Sequence, residues 1–305
     1  MSHLYVITGF LGAGKTTFLK QFARMFQGQK LAILVNEFGK EDVDSLLLQE
    51  LRARMSEIHN GSIFCACRLE QFEQALMDLD AEQPDVILVE TSGLSDPTNV
   101  RKILSNIKRY ENIEYMGCIC LADALHFEKV LATANVCGKQ LNMSDVVILN
   151  KTDLVDEKNL CKLEEQIRKI RPDVPIFRTI RGQVKPEWIE ALQQPRIVET
   201  APSILTRDVS LQSRLIVIQE FFPLDKLLEF LNKLAPSTYR IKGFARLYEA
   251  TYLVDVVGTD VQATPWSGQV ERPNRLVALA GQNLPMAATL ENIKREYEPY
   301  IVTIE

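Results

Sequence analysis

Short apolar runs alternate with longer amphipathic stretches along the first two thirds of the chain. The runs are rich in valine, isoleucine and leucine, which is typical of strands buried on both faces of a parallel sheet, and the stretches between them have helical periodicity. We predict six strands: Leu4–Thr8, Leu31–Val35, Asp85–Glu90, Tyr115–Leu121, Asp145–Asn150 and Val174–Thr179. The pattern predicts an α/β domain with a mostly parallel sheet, whose ligands bind at the carboxyl ends of the strands.

The pattern changes after residue 192. From residue 193 to 207 the helical periodicity stops amid prolines and polar residues, which indicates a linker. Beyond it we predict the strands Arg214–Phe221, Tyr239–Tyr248, Tyr252–Val257 and Arg275–Ala280, the helices Leu224–Ala235 and Ala287–Tyr297, and a closing run Tyr300–Ile304. Segregated strands and helices predict a smaller α+β carboxyl-terminal domain, so that residues 1–192 form the first domain and residues 208–305 the second.

Composition and charge narrow the class of partner. The 305 residues include 35 basic and 40 acidic ones, a net charge of −5, without a long basic run, which argues against nucleic acid. No apolar run approaches the roughly 18 residues that a membrane span needs, and the chain enters its first strand without a signal peptide. We expect a cytoplasmic protein with no membrane partner; the sequence does not define its oligomeric state.

A glycine-rich turn follows the first predicted strand, with the sequence G-F-L-G-A-G-K-T-T from residue 9 to residue 17. It fits the phosphate-loop pattern, in which backbone N–H groups point at phosphate oxygens, the lysine Lys15 reaches the terminal phosphates and the hydroxyl of Thr16 ligates Mg²⁺. An apolar run of strand type precedes it and an amphipathic helix starting near Lys15 follows it, which is the context of such a loop. The alternative is a plain glycine turn that joins strand to helix. We predict that nucleotide phosphates contact Gly9, Gly12, Ala13, Gly14, Lys15, Thr16 and Thr17.

An acidic residue, Glu90, ends the third predicted strand and is followed closely by Gly93. An acid at such a strand end can orient Mg²⁺ through a water, and the N–H of a following glycine can contact the terminal phosphate. We assign Glu90 and Gly93 these catalytic roles, together with Lys15 and Thr16. The alternative is that Glu90 only caps a strand-to-helix turn.

The tetrapeptide N-K-T-D, residues 150 to 153, follows the fifth predicted strand. The Asp153 carboxylate can accept hydrogen bonds from both the ring N–H and the exocyclic amine of guanine, whereas adenine has no matching pair of donors. The stem of Lys151 would lie over the base, and Asn150 would tie this loop to the phosphate region. Alone the tetrapeptide could be a helix N-cap, but downstream of a phosphate loop it indicates GTP.

Together the sequences G-F-L-G-A-G-K-T-T, E-T-S-G-L-S-D-P and N-K-T-D resemble those of the CobW-like GTPases, P-loop relatives of the urease- and hydrogenase-accessory GTPases. The glutamate at position 90, where most GTPases have aspartate, is a hallmark of that group. Further matches are V-N-E-F-G from Val35, Asp123-Ala124 and R-I-K-G-F from Arg240. The resemblance covers nearly the whole chain. It implies a GTP-hydrolysing metallochaperone or metal-centre activator whose carboxyl-terminal domain faces a client metalloenzyme or cofactor-dependent enzyme.

The Cys-x-Cys-Cys motif of that family is degenerate here. The sequence N-G-S-I-F-C-A-C-R, residues 60 to 68, has serine and phenylalanine in place of the first two cysteines. Cys65 and Cys67 can still bind a soft metal, Zn²⁺ or another transition metal, and the resemblance marks Glu37 as a third ligand. Two or three ligands form an open, exchangeable site. The alternative is a pair of loop cysteines without metal.

Other cysteines and histidines add little to that site. Cys118 and Cys120 have similar spacing but lie inside an apolar strand run, so we expect them in the core. His59 adjoins the cysteine loop and could be a supplementary ligand or simply a solvated side chain.

We therefore predict a GTPase that couples its nucleotide state to delivery of a metal or metal-containing cofactor to a client protein. Leu94 occupies the place where many GTPases have a water-orienting glutamine, so we expect slow turnover without a partner or bound metal. One alternative is a GTP-switched chaperone of a metalloenzyme or corrinoid enzyme that carries no metal itself. A small-molecule phosphotransferase would need the phosphate loop but not N-K-T-D.

Overall fold

The computed structural model describes residues 1–35, 54–57, 69–93, 100, 103–104, 109–192, 211–248, 250–281 and 283–305. The chain divides into two compact units, one of Met1–Leu131 with Asn135–Asp208 and one of Ala132–Ala134 with Val209–Glu305. No helix in these described ranges combines the length and apolarity that a membrane crossing requires.

A parallel sheet forms the centre of the first unit. In the described part of the chain seven strands pair in the order β3-β2-β4-β1-β5-β6-β7, every pair being parallel. Their bounds are β1 Ser2–Gly9, β2 Leu31–Val35, β3 Arg54–Glu57, β4 Val86–Glu90, β5 Ile113–Asp123, β6 Val146–Asn150 and β7 Ile176–Arg178. Every residue of β4 and β6 is buried, which explains their nearly continuous apolar sequences.

Helices connect these strands and bury the sheet. Their bounds are α1 Lys15–Arg24, α2 Leu69–Glu82, α3 Phe127–Thr133, α4 Asn135–Met143, α5 Glu157–Ile170 and α6 Glu187–Glu190. Helix α1 directs Phe18, Leu19 and Phe22 onto the sheet, where Phe22 contacts Tyr5 of β1 edge to face at 5.3 Å between ring centroids. This packing fixes the helix that begins at the glycine-rich turn relative to the strand that precedes it.

The strand order brings the predicted site segments together. Because β1 lies between β4 and β5, and β6 follows β5, the carboxyl ends of four consecutive strands share one edge of the sheet. The register pairs Ile7 with Glu90, and Asp123 with Asn150. Segments far apart in sequence therefore lie next to the glycine-rich turn at this edge of the sheet.

An antiparallel sheet forms the second unit. Within the described residues six strands pair in the order β11-β10-β9-β12-β8-β13. Their bounds are β8 Leu211–Ile218, β9 Arg240–Leu247, β10 Ala250–Val257, β11 Asp260–Pro265, β12 Arg275–Gly281 and β13 Ile301–Ile304, and the helices are α7 Leu224–Leu234 and α8 Met286–Lys294. The amphipathic helix α7 buries Leu227, Phe230 and Leu231 in the core of this unit.

The predicted α/β fold with a following α+β part is confirmed, with differences at particular elements. Strand β5 extends two residues beyond the predicted Tyr115–Leu121 at each end. At its start Ile113 and Glu114 pair with β1, and at its end Ala122 and Asp123 pair with β6. Strand β8 ends at Ile218 rather than Phe221, because the chain turns there and the Phe222 N–H bonds to the Gln219 carbonyl. The predicted linker, residues 193–207, lies outside the described residues.

Candidate nucleotide site

The glycine-rich turn has a backbone that only glycine adopts easily. Gly9 and Gly14 have φ angles of +137° and +92°. A Cβ on Gly14 would lie 2.5 Å from the Asn150 amide nitrogen, and one on Gly9 would collide with the Leu121 carbonyl. The turn therefore lies directly against the ends of β5 and β6, with α1 beginning at its exit.

The side chains of Lys15 and Thr16 lie at the first turn of α1. The Lys15 ammonium donates to the Phe10 carbonyl at 3.2 Å, within the loop itself. The Thr16 hydroxyl donates to the Glu90 carboxylate at 3.3 Å, and Glu90 is buried. A hydroxyl and a carboxylate side by side are oxygen ligands of the kind that Mg²⁺ prefers, so these two residues fit that ion.

Gly93 follows the end of β4 and packs on the glycine-rich turn. A Cβ on Gly93 would lie 2.7 Å from the Leu11 backbone nitrogen. Just before it, the Thr91 hydroxyl donates to the Thr8 hydroxyl at 2.9 Å, and the Thr91 N–H bonds to the Ile7 carbonyl at 2.9 Å. The segment after β4 is therefore fastened to β1 and to the turn that follows it.

Asn150 joins the N-K-T-D segment to the glycine-rich turn. Its amide nitrogen donates to the Ala13 carbonyl at 2.9 Å, and its amide oxygen accepts from the Gly182 N–H at 3.1 Å. The side chain is almost completely buried, with 2% of its surface exposed. One amide thus holds together three segments of backbone.

Lys151 adopts a left-handed backbone, with φ +62°. Its ammonium forms an ion pair with the Asp123 carboxylate at 2.6 Å, and the same carboxylate bonds to His126 Nδ1 at 3.0 Å. Burial by itself would raise the pKa of Asp123, but the hydrogen bonds with His126 and Lys151 outweigh it and hold the pKa below its ordinary value. The carboxylate is therefore charged near neutral pH and fixes the direction of Lys151.

Asp153 lies on a short 3₁₀ turn, Thr152–Leu154, and is exposed. The turn is anchored by Thr152, whose hydroxyl donates to the Thr179 carbonyl at 3.2 Å. An exposed carboxylate on an anchored turn is available to a ligand, as recognition of a guanine edge requires.

One segment of the site is missing from the sequence-based prediction. It is T-I-R-G, residues 179 to 182, which follows β7. Gly182 donates to Asn150 and packs so tightly on α1 that an added Cβ would lie 2.9 Å from the Phe18 nitrogen. The sequence contains one signal for this segment, a glycine placed shortly after a predicted strand of the parallel sheet.

The predicted transition-metal ligands Glu37, Cys65 and Cys67 lie outside the described residues, as do His59 and Leu94. Among the described residues, no group of three histidine, cysteine or carboxylate side chains could hold a metal ion.

Three of the cysteines in the described part of the chain are buried, and so is Trp188. Cys118 and Cys120 are buried, which confirms the prediction that they belong to the core. Burial also raises the pKa of the Cys137 thiol to about 12. Trp188 is buried and stacks on Phe177 at 5.3 Å between ring centroids, so it is a packing residue.

Comparisons with known proteins cover nearly the whole chain. Residues 3–178 match the family described as CobW/HypB/UreG, nucleotide-binding domain, and residues 211–295 match the cobalamin synthesis protein cobW C-terminal domain. The zinc chaperone YjiA of Escherichia coli is 27% identical over 92% of this chain and 94% of its own. The zinc-regulated GTPase metalloprotein activator 1 of Saccharomyces cerevisiae is 25% identical over 97% of this chain and 75% of its own. A crystal structure of Zn(II)-bound YjiA GTPase from E. coli aligns with 96% of this chain and 98% of that chain, at 21% identity and a TM-score of 0.47.

Proposed function

The chain belongs to the CobW/HypB/UreG family, and on that premise we propose that it is a GTPase that couples GTP binding and hydrolysis to delivery of a metal to a client protein. The observation that carries the nucleotide part is the Asn150 amide, which joins the base-recognition segment to the Ala13 carbonyl of the glycine-rich turn at 2.9 Å. This hydrogen bond holds the N-K-T-D segment beside the glycine-rich turn. The arrangement supports binding of one nucleotide, with its base at the first segment and its phosphates at the second.

The phosphates would lie along the glycine-rich turn at the N-terminus of α1, where backbone N–H groups and the helix dipole favour anions. Lys15 would turn from the Phe10 carbonyl to the terminal phosphates. Thr16 and Glu90, already hydrogen bonded to each other, would hold Mg²⁺, with Glu90 acting through a water. When bound, this ion neutralises charge on the phosphate oxygens.

Guanine would be selected by Asp153, with the stem of Lys151 over the base. Support comes from the ion pair between Lys151 and Asp123, which holds the lysine stem at the carboxyl edge of the sheet. Gly93, at the end of β4, would supply an N–H to the terminal phosphate. The absence of a glutamine after Gly93 in the sequence, where Leu94 stands, supports slow turnover that a client or bound metal accelerates.

The metal would be Zn²⁺ or another transition metal at Cys65, Cys67 and Glu37. The sequence spacing and the zinc-related names of the relatives in E. coli and S. cerevisiae support this assignment. In this proposal residues 1–192 act as the GTPase, residues 193–207 connect, and residues 208–305 meet the client.

Nucleotide selectivity tests the proposal. Calorimetry of the purified chain with Mg²⁺ should give tight binding of GDP and of a non-hydrolysable GTP analogue, and weak binding of ADP. Asp153→Asn should weaken GDP binding by about 100-fold, since the asparagine amide keeps only one oxygen acceptor and turns an N–H donor towards guanine, which leaves one guanine donor unpaired. Asp156→Asn, an N-cap change on α5, is the matched control and should leave affinity unchanged. Equal or tighter binding of ADP by the parent protein refutes the proposal.

Metal binding separates this function from a chaperone that carries no metal. Zinc titration of the anaerobically purified parent should show a site that Cys65→Ala/Cys67→Ala removes. If parent and variant bind zinc alike, the metal-delivery part is wrong and the alternative of a metal-free, GTP-switched chaperone is favoured.

A further inference from the structure

Helix α4 carries a glutamine where its amphipathic pattern calls for an apolar residue. Gln140 is 1% exposed and lies on the same buried helix face as Val136, Cys137 and Leu141. A buried amide destabilises a protein unless its polar atoms are hydrogen bonded. Its presence in this apolar face therefore points to a specific partner.

That partner is the segment after β4. The Gln140 amide nitrogen donates to the Gly93 carbonyl at 3.3 Å, and the bond is buried. On its other side Gly93 touches the glycine-rich turn so closely that a Cβ has no room beside Leu11. Gly93 is thus held between the phosphate-binding turn and helix α4.

We propose that Gln140 is a positioning residue for GTP, which holds Gly93 where its N–H meets the terminal phosphate. The inference rests on the proposed function and deepens it. A glycine peptide rotates more freely than any other, so its N–H is a poor phosphate donor unless a neighbouring group fixes it. The hydrogen bond from Gln140 fixes the peptide group on the carboxyl side of Gly93, and the bonds of Thr91 fasten the chain on its amino side. The N–H between these two fixed points has less freedom before the nucleotide arrives.

Loss of the Gln140 amide should affect GTP and GDP differently. GDP has no terminal phosphate for Gly93 to contact, so its affinity should not depend on Gln140. GTP binding and hydrolysis should depend on it. A purely structural glutamine would instead affect both nucleotides alike, through the stability of the unit.

The fold leaves room for an informative substitution. Gln140 lines a cavity of about 20 Å³ with Leu11 and His126, so a methionine of similar length can adjust there without overpacking. Gln140→Met keeps the length of the side chain and removes the N–H donor. Asn142→Met, an exposed position of the same helix, is the matched control.

The experiment compares the full-length parent with both variants by calorimetry and steady-state hydrolysis. Gln140→Met should bind GDP within about twofold of the parent, bind the non-hydrolysable GTP analogue about tenfold more weakly, and hydrolyse GTP with a kcat about tenfold lower, as expected for one lost buried hydrogen bond. Asn142→Met should match the parent. Gln140→Leu provides a second apolar variant if the methionine variant does not fold.

Two results overturn the inference: unchanged GTP-analogue affinity and kcat in a folded Gln140 variant, or a parallel loss of GDP and GTP-analogue affinity. Failure of the proposed function is distinguishable, because the parent itself would then show no preference for guanine nucleotides.

Discussion

Asn150 offers the most direct test of how the site is assembled. Asn150→Ala removes both of its hydrogen bonds, one to the Ala13 carbonyl and one from the Gly182 N–H. The alanine side chain has no polar atom that could replace either bond. Because this position is 2% exposed, both backbone groups become buried and unpaired.

The size of the effect follows from these two groups. A buried donor or acceptor left without a partner costs about 1–3 kcal/mol, so two of them should lower the free energy of unfolding by roughly 2–6 kcal/mol. Domains of ordinary stability have only about 5–15 kcal/mol in total. The glycine-rich turn also loses its hydrogen bond to the N-K-T-D segment, so the affinities for GDP and for a GTP analogue should both fall, by about tenfold or more.

Urea unfolding followed by tryptophan fluorescence measures the stability change. Of the two tryptophans, Trp188 lies in the first unit and Trp266 in the second, so a Trp266→Phe background makes the signal report on the first unit. Asn142→Ala, at an exposed position, is the control and should change stability by less than about 0.5 kcal/mol. If Asn150→Ala unfolds at the same urea concentration as this control, Asn150 does not join the two segments and the reasoning is wrong.

Three further predictions follow from the geometry. Gly93→Ala places a Cβ 2.7 Å from the Leu11 nitrogen of the glycine-rich turn and should weaken GTP-analogue binding at least about tenfold. Gly138→Ala has open space around it and should leave this affinity unchanged. Similar affinities in the two variants would contradict this packing. The pKa of Asp123 is lowered, so its carboxylate contributes stability that is fully present above its unfolded pKa of about 4 and is lost as the pH falls through the native pKa. Urea unfolding between pH 7 and pH 3 should therefore show a shallower acid dependence for Asp123→Asn than for the parent, and parallel curves would argue against the ion pair. Iodoacetamide at pH 8 should alkylate the exposed Cys161 and leave Cys137 unmodified, because burial raises the pKa of the Cys137 thiol to about 12. Peptide mass spectrometry measures the modification, and equal labelling of the two cysteines would contradict the burial of Cys137.

The features that sequence predicts well are local ones. The central strands β1, β4 and β6 are recognisable because burial on both faces demands continuous apolar residues. The glycine-rich turn is recognisable because its positive φ angles strongly favour glycine. Short strands with mixed composition, such as Arg54–Glu57 and Asp260–Pro265, have no such signature, and neither is found by pattern alone.

The contacts that organise the site depend on strand order, which pattern does not reveal. Asp123 could be singled out only by resemblance, and its pairing with Lys151 requires that β5 and β6 be neighbours in matching register. The roles of Gly182 and Gln140 likewise appear only when β7 and helix α4 are placed around the edge of the sheet. An isolated glutamine or glycine carries no such information in a single sequence.

Strand β1 is paired on both sides from His3 to Ile7, and this affects how long a nucleotide at the proposed site would stay bound. Amide protons of such a doubly paired central strand exchange with water only when the unit opens as a whole. Strand β1, which precedes the glycine-rich turn of the proposed nucleotide site, should therefore be among the last parts of this unit to unfold. In the proposed GTPase the product would leave while β1 stays paired, so the residence time of the nucleotide and the lifetime of the folded unit would be independent of each other.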